Sequence, residues 1–501
     1  MNGIRSQIRE PSIKQAFIPI SLLIGMLAMS VALFGDESSS GPNQVALILS
    51  TGIAAVVGLL NGYCWKELEI GISRGISVSM GSILILLVVG SVIGTWILAG
   101  VVPTMIYYGL LILSPSIFYT ATCLICAAIA LATGSSWTTA GTIGIALVGI
   151  ASAQDLHLGL TAGAIISGSY FGDKMSPLSD TTNLAPAVSG TELFTHIKHM
   201  VWTTIPSLLI AVMLFTLAGW ILPTPTTTSN LSEILQSLEK SFSIGLHLLI
   251  PVLVVLGLVI KKVPAFPALL IGTLVGALFA ALFQSHTVLI YVGETELPKS
   301  LAIIKGIWMT LYSGFQLDSG NAVLDNLLSR GGMGNMLMTV WLIISAMMFG
   351  AVMETTGMLQ VIATRILSIV HSTGSLISAT LATSISMNVL ASDQYIAIVL
   401  PGRMFRGEFS KRGLHPKNLS RTLEDAGTLT SVLVPWNTCG AFMAQTLGVS
   451  TLTYAPFAFF NLLNPLVAAF YGFANIAVER LTDSSPDKNL PTSSSTSSGP
   501  I

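Results

Sequence analysis

Charged side chains are scarce in this sequence. Asp, Glu, Lys and Arg together make up 9% of its 501 residues, against about 25% in soluble domains. With 52% hydrophobic residues and repeated apolar runs of about 20 residues, this excludes an ordinary soluble fold. It leaves an all-α, polytopic membrane protein. The runs are continuous rather than alternating, which argues against a β-barrel. An excess of positive charge is missing too: the formal net charge is −1, which gives no support to nucleic-acid binding. Cysteine is rare. Cys64, Cys123, Cys126 and Cys439 are the four present, and they suggest no disulfide framework. Cys123 and Cys126 form a C-x-x-C inside the apolar run 118–132, where small polarizable core residues are the expected role. The G-x-x-x-x-G-K-[ST], H-E-x-x-H and G-x-S-x-G motifs are absent. ATP-driven pumping and the common hydrolase chemistries therefore have no support, no enzyme activity is expected, and no cofactor is expected.

What is present is a succession of apolar segments. Arg5, Arg9 and Lys14 precede the run 16–34. That run is too long for the core of a typical signal peptide, and no small-x-small cleavage site follows, so it reads as a first membrane helix. Further spans are expected near 44–62, 77–100, 115–133, 200–222, 244–260, 265–284, 335–355, 375–400 and 452–477. Shorter segments near 101–113 and 360–372 read as half-helices or re-entrant pieces. The total comes to about 11–13 crossings. His196, Lys198 and His199 read as a surface loop, and 403–421 as a basic loop carrying Arg403, Arg406, Lys411, Arg412, Lys417 and Arg421. The positive-inside rule places those patches and Lys261/Lys262 in the cytoplasm, and Asp36/Glu37 and the loop 223–241 outside. The chain then divides into a first membrane half, 1–222, an external loop, 223–241, and a second half, 242–480. The Ser/Pro-rich tail 481–501 reads as disordered.

One stretch departs from this apolar background. Between 173 and 186 lie Asp173, Lys174, Ser176, Pro177, Ser179, Asp180, Thr181, Thr182, Asn183 and Pro186. An ionisable group at bilayer depth costs about 2.5–3.5 kcal/mol or more, so its presence points to function. The prolines oppose a simple helix and free backbone carbonyls. Carboxylates and neutral oxygens beside a broken helix are what a hard cation needs in a transporter. Asp173 and Asp180 are the expected Na⁺ ligands, with Ser176, Ser179, Thr181 and Asn183 offering oxygens. A carboxylate that takes Na⁺ or H⁺, but not both, exchanges one for the other with no further machinery. Lys174 is expected to neutralise Asp173 or to replace the cation when it leaves. The alternative is an ion pair and capping hydroxyls that only stabilise the break.

The second half carries similar breaks. Ser135 and Met387 open polar breaks 252 positions apart, and Pro177 and Pro435 open a second pair 258 apart. Near-equal offsets suggest an internal repeat whose four breaks meet near the midplane. Asn388, Asp393, Asn437 and Thr438 are then partners across the repeat, or simple helix–helix hydrogen bonds. Ser135, Ser136, Thr138 and Thr139 are candidates to line the same cavity, or to bond back to their own helix. Glu424 and Asp425 read as capping acids at a helix N-terminus, with Asp425 within possible reach of the cavity.

The segment 172–186, Gly-Asp-Lys-Met-Ser-Pro-Leu-Ser-Asp-Thr-Thr-Asn-Leu-Ala-Pro, resembles the signature of the NhaC family of bacterial Na⁺/H⁺ antiporters. The segment 134–144 is similar to that family's Gly-Thr-Ser-Trp region, with Ser135 where Thr is common. The resemblance implies a multi-pass protein of the bacterial cytoplasmic membrane, built of inverted repeats with helical hairpins. It implies Na⁺/H⁺ antiport, with membrane lipid and small ions as partners. It does not fix the substrate, because the family also includes malate/lactate exchangers and amino-acid carriers. Two readings stay open: Na⁺/H⁺ exchange, or Na⁺- or H⁺-coupled carriage of a small organic acid or amino acid.

Overall fold

The computed structural model describes residues 8–34, 38, 41–222, 228–293, 296–368 and 370–481. Arg5, Asp36, Glu37 and the tail after 481 lie outside them. Among the described residues there is no β-strand, only an isolated bridge between Leu414 and Arg480. Among the described residues, eight helices are long and apolar enough to cross a membrane, or ten if each of two bent pairs is one span. This makes the chain a multi-pass membrane protein. The 11–13 crossings expected above exceed that count. The difference lies in helices such as Leu158–Met175, Thr373–Leu390 and Gln394–Lys411. Each has 18 residues but carries too much polar sequence to qualify as an apolar span.

The short segments fall where expected. Val101–Ile112 has 12 residues, about 18 Å of helix, too short for a hydrocarbon layer of about 30 Å. Met358–Leu367 has 10. Three expected loops carry helix; Thr228–Ser241 occupies most of 223–241. His196, Lys198 and His199 lie in Leu193–Ile221, where only Lys198 is exposed. The basic stretch 403–421 lies mostly in Gln394–Lys411 and Pro416–Leu423. Its charges follow helical periodicity: Arg403, Arg406 and Lys411 face outward while Phe405 and Phe409 are buried. Charge density marked a polar face there, not an absence of helix.

Helix starts recur along the chain at a nearly constant interval. Met80 and Leu337 begin helices 257 positions apart, as do Val101 and Met358. Ser136 and Gln394, Leu158 and Pro416, Asp180 and Thr438, and Leu193 and Thr451 are each 258 apart. The caps recur as well. Ser135 and Asp393 each accept backbone N–H groups of the helix they open. His157 and His415 do so through Nδ1, and Ser179 and Asn437 through side-chain oxygens. Gly190 and Gly448 both end helices in the left-handed conformation. The counterpart of the Ser135 break is thus Asp393, at the end of the expected stretch 387–393, and its offset is 258 rather than the 252 measured from Met387.

The densest helix pair in the core is Phe118–Thr133 against Leu158–Met175. Its closeness depends on two glycines on one face. A Cβ at Gly168 would sit 2.0 Å from the Cys123 carbonyl oxygen, and one at Gly172 2.3 Å from the Leu131 nitrogen. Small residues four apart let the backbones touch. That contact brings the end of one helix, with Asp173, against the turn that follows the other.

Candidate ion-binding site

The turn begins at Gly134, which ends Phe118–Thr133 in the left-handed conformation at φ 70°. Ser135 then runs extended, and its Oγ accepts the Thr138 N–H at 3.1 Å, opening the next helix. Asp173 docks on that helix start. Its Oδ2 accepts from the Ser136 N–H at 3.1 Å and the Ser136 Oγ at 2.6 Å. A carboxylate at a helix N-terminus is held by orphan N–H donors and by the helix dipole.

Leu158–Met175 stops two residues later. The chain is extended at Ser176 and again at Ser179, where a new helix, Asp180–Ser189, begins. Pro177 sits in the break. Pro186 does not break anything and lies inside the second helix. Thr182 Oγ1 donates towards the terminal carbonyls of Asp173 and Lys174, at 3.1 and 2.9 Å. Asn183 Nδ2 donates to the Pro177 and Ser179 carbonyls, at 3.0 and 2.6 Å. These polar side chains satisfy the backbone groups that the break frees.

A cavity of about 750 Å³ opens beside this break. Ser135, Thr138, Asp173, Ser179, Asp180 and Thr181 line it from one half, and Gln394 and Tyr395 from the other. Lys262, in the turn after Ile250–Ile260, lines its mouth. Asp173 is 9% exposed and Asp180 is exposed. Ser176 is buried, and its Oγ accepts the Leu178 N–H. Asn183, expected as a ligand, is engaged in bracing the turn.

Lys174 does not face Asp173. Successive residues on a helix point about 100° apart, so the ammonium turns into the protein. There it forms an ion pair with Asp425, both side chains 0% exposed, and donates to Asn464 Oδ1 at 3.0 Å. Thr203 Oγ1 also donates to Asp425, at 2.9 Å. Glu424 and Asp425 are not at a helix N-terminus. They continue Pro416–Leu423 as a π-helical turn, 424–428. The signal for Asp425 was weak. Its ion-pair partner lies 251 residues away, and a carboxylate beside a basic stretch reads equally well as a cap.

The second-half candidates lie behind the cavity. Asp393 Oδ1 accepts the Tyr395 and Ile396 N–H groups at 2.9 and 3.2 Å, while Oδ2 is buried with no hydrogen-bond partner. Asn388 Nδ2 donates to the Gly427 carbonyl at 2.8 Å and to Thr430 Oγ1 at 3.0 Å. Asn437 Nδ2 donates to the Asn388 carbonyl at 3.0 Å. The Thr438 N–H donates to the Ser392 carbonyl at 3.0 Å, joining the two breaks directly. Trp137 stacks on Phe442 at 4.0 Å, tying the halves together.

Fold and site define a polytopic helical transporter whose cavity wall carries carboxylates. Residues 168–476 match the Na⁺/H⁺ antiporter family. The chain is 39% identical to the Na⁺/H⁺ antiporter NhaC of Alkalihalophilus pseudofirmus, over 93% of this chain and 97% of that one. It is 37% identical to the malate-2H⁺/Na⁺-lactate antiporter of Bacillus subtilis, over 93% and 95%. It is also 37% identical to the arginine/ornithine antiporter ArcD of Halobacterium salinarum, over 93% and 92%. The chain belongs to the Na⁺/H⁺ antiporter family, as the resemblance in 134–144 and 172–186 implied. Its relatives are transporters rather than enzymes, and their names span different substrates.

Proposed function

We propose that this protein exchanges Na⁺ for H⁺ across the cytoplasmic membrane, with Asp173 as the carboxylate for which the two ions compete. The supporting observation is how the helix N-termini are occupied. An organic anion in a transporter typically binds at such a terminus. Here the terminus at Ser136 already holds Asp173, and the terminus at Gln394 already holds Asp393. What the break presents to the cavity is oxygen: the Asp173 edge, Asp180, and the hydroxyls of Ser179 and Thr181. That set favours a hard cation. Bound Na⁺ and a bound proton each neutralise Asp173, so one must leave before the other enters.

A second reading rests on the size of the cavity. About 750 Å³ exceeds what a single cation requires and falls within the range of small-molecule sites. Lys262 at the mouth would meet an organic carboxylate. The deciding measurement is proton movement in proteoliposomes with an imposed pH gradient. Na⁺ exchange requires that added Na⁺ alone dissipates the gradient. Dissipation only when malate, lactate or an amino acid is also supplied would replace this reading with coupled carriage.

A further inference from the structure

Next to the Lys174–Asp425 pair lies a carboxyl group with nothing to do. Glu424 is 0% exposed, and neither of its oxygens has a hydrogen-bond partner. A buried carboxyl group left unpaired is costly, more so when ionised. It stands in the π-helical turn 424–428, a form that concentrates at functional sites. Its polar neighbours are informative. The charged groups acting on it are Lys174 and Asp173, and the nearby hydroxyls are those of Thr428 and Thr181. Thr181 lines the cavity, so Glu424 is separated from the cavity by a single hydroxyl-bearing side chain.

The charges around it balance without it only while Asp173 is ionised and holds no cation. Lys174 and Arg421 contribute two positive charges, both fully buried. Asp425 supplies one carboxylate between them, paired to Lys174 and 3.9 Å from Arg421 Nε. Thr373–Leu390, packed on the same turn, carries no ionisable side chain. From Phe459–Ala474 only Tyr471 is ionisable, and it acts on Arg421. On Gln394–Lys411, Arg403, Arg406 and Lys411 point outward, Glu408 pairs with Arg412, and Tyr395 lines the cavity, as does Asp180 of Asp180–Ser189, which also packs on the turn. With Asp173 ionised and empty, Asp173 and Asp425 balance Lys174 and Arg421 and Glu424 is favoured neutral; a cation on Asp173 leaves one excess positive charge, which an ionised Glu424 balances.

We propose that Glu424 is a second proton-exchanging residue of this antiporter, coupled to the cation site at Asp173. The coupling is electrostatic. A cation at Asp173 and a proton on Glu424 are like charges in a poorly screened interior, so arrival of the first expels the second. The proton leaves the Glu424 carboxyl oxygen, passes the Thr181 hydroxyl and enters the cavity water. Glu424 remains as the carboxylate facing Lys174. The inference rests on the exchange reading above.

The test is the pH dependence of Na⁺ half-saturation in proteoliposomes. With two protons displaced, the half-saturating Na⁺ concentration falls by up to about a hundredfold per pH unit; with one, by about tenfold. Wild type should show the steeper dependence and Glu424→Gln the shallower one, with Na⁺ affinity at alkaline pH weakened because Gln stays neutral where the wild-type carboxylate is ionised. A merely structural role would not change the slope. An unchanged slope in Glu424→Gln overturns the role of Glu424 alone, whereas absence of any Na⁺-driven proton movement in wild type overturns the exchange reading with it. A measurement on the native protein covers a variant that fails to fold. Carbodiimide labelling of Glu424, read by mass spectrometry, should fall as pH rises and fall further with Na⁺. Labelling that is absent, or the same at every pH, overturns the proposal.

Discussion

Asp173 and Lys174 are neighbours in sequence and have separate duties in space. One faces the cavity and takes the Ser136 donors; the other faces inward and holds Asp425. Asp173→Asn keeps the shape and removes the charge, so it should abolish Na⁺-dependent proton movement while the protein still inserts. Unchanged exchange in that variant would remove Asp173 from the mechanism. Lys174→Met leaves Asp425 buried and unmatched, which costs about 3–5 kcal/mol. The loss should be only partly recovered in Lys174→Met/Asp425→Leu, where the buried Arg421 still lacks the carboxylate beside it. Thermal unfolding in detergent reads both. The sequence made Asp173 and Asp180 visible because two carboxylates stand out in apolar surroundings. It could not reveal Lys174's partner. Adjacent residues of opposite sign look like a pair in one dimension, and only helical geometry separates them.

Among elements, the fit of Leu158–Met175 against Phe118–Thr133 decides whether the site exists. Gly172 precedes Asp173 and meets the backbone of Leu131. Gly172→Val should force the helices apart, costing about 1–3 kcal/mol or more, and should draw Asp173 away from Ser136. The expected result is lower thermal stability together with a raised half-saturating Na⁺ concentration; an unchanged Na⁺ response would show that the helix contact does not position Asp173. Element type and most span positions were legible, because about 20 continuous apolar residues leave few alternatives. Helices with a polar face were harder. Gln394–Lys411 looked like a loop because its outward residues are basic, and the buried Phe405 and Phe409 between them were the overlooked sign. The π-helical turn at 424–428 has no local sequence signal at all.

At the scale of the whole molecule, we infer from the constant interval between helix starts that the two halves are copies of one unit. Two breaks had suggested this from sequence, one aligned six residues early within the stretch 387–393, because residue identity had faded where helix starts and caps persist. Lys262, one of the basic residues that the positive-inside rule assigns to the cytoplasm, lines the cavity, so we infer that the cavity opens to that side. Asp180→Cys, made in a Cys64→Ser background because Cys64 is the exposed native cysteine, should react with a membrane-impermeant thiol reagent in everted vesicles and not in intact cells. Equal labelling from outside would reverse the assigned orientation.

The ion pair between Lys174 and Asp425 has a bearing on ancestry. At the 258-residue interval, Lys174 corresponds to Val432 and Asp425 to Ser167. Each copy therefore keeps one charge and has a neutral residue where its sister keeps the other. Neither half could now pair with a duplicate of itself without stranding a charge in the interior. On the inference that the halves are copies, each has become the complement of the other, and only the two together keep the interior charge matched.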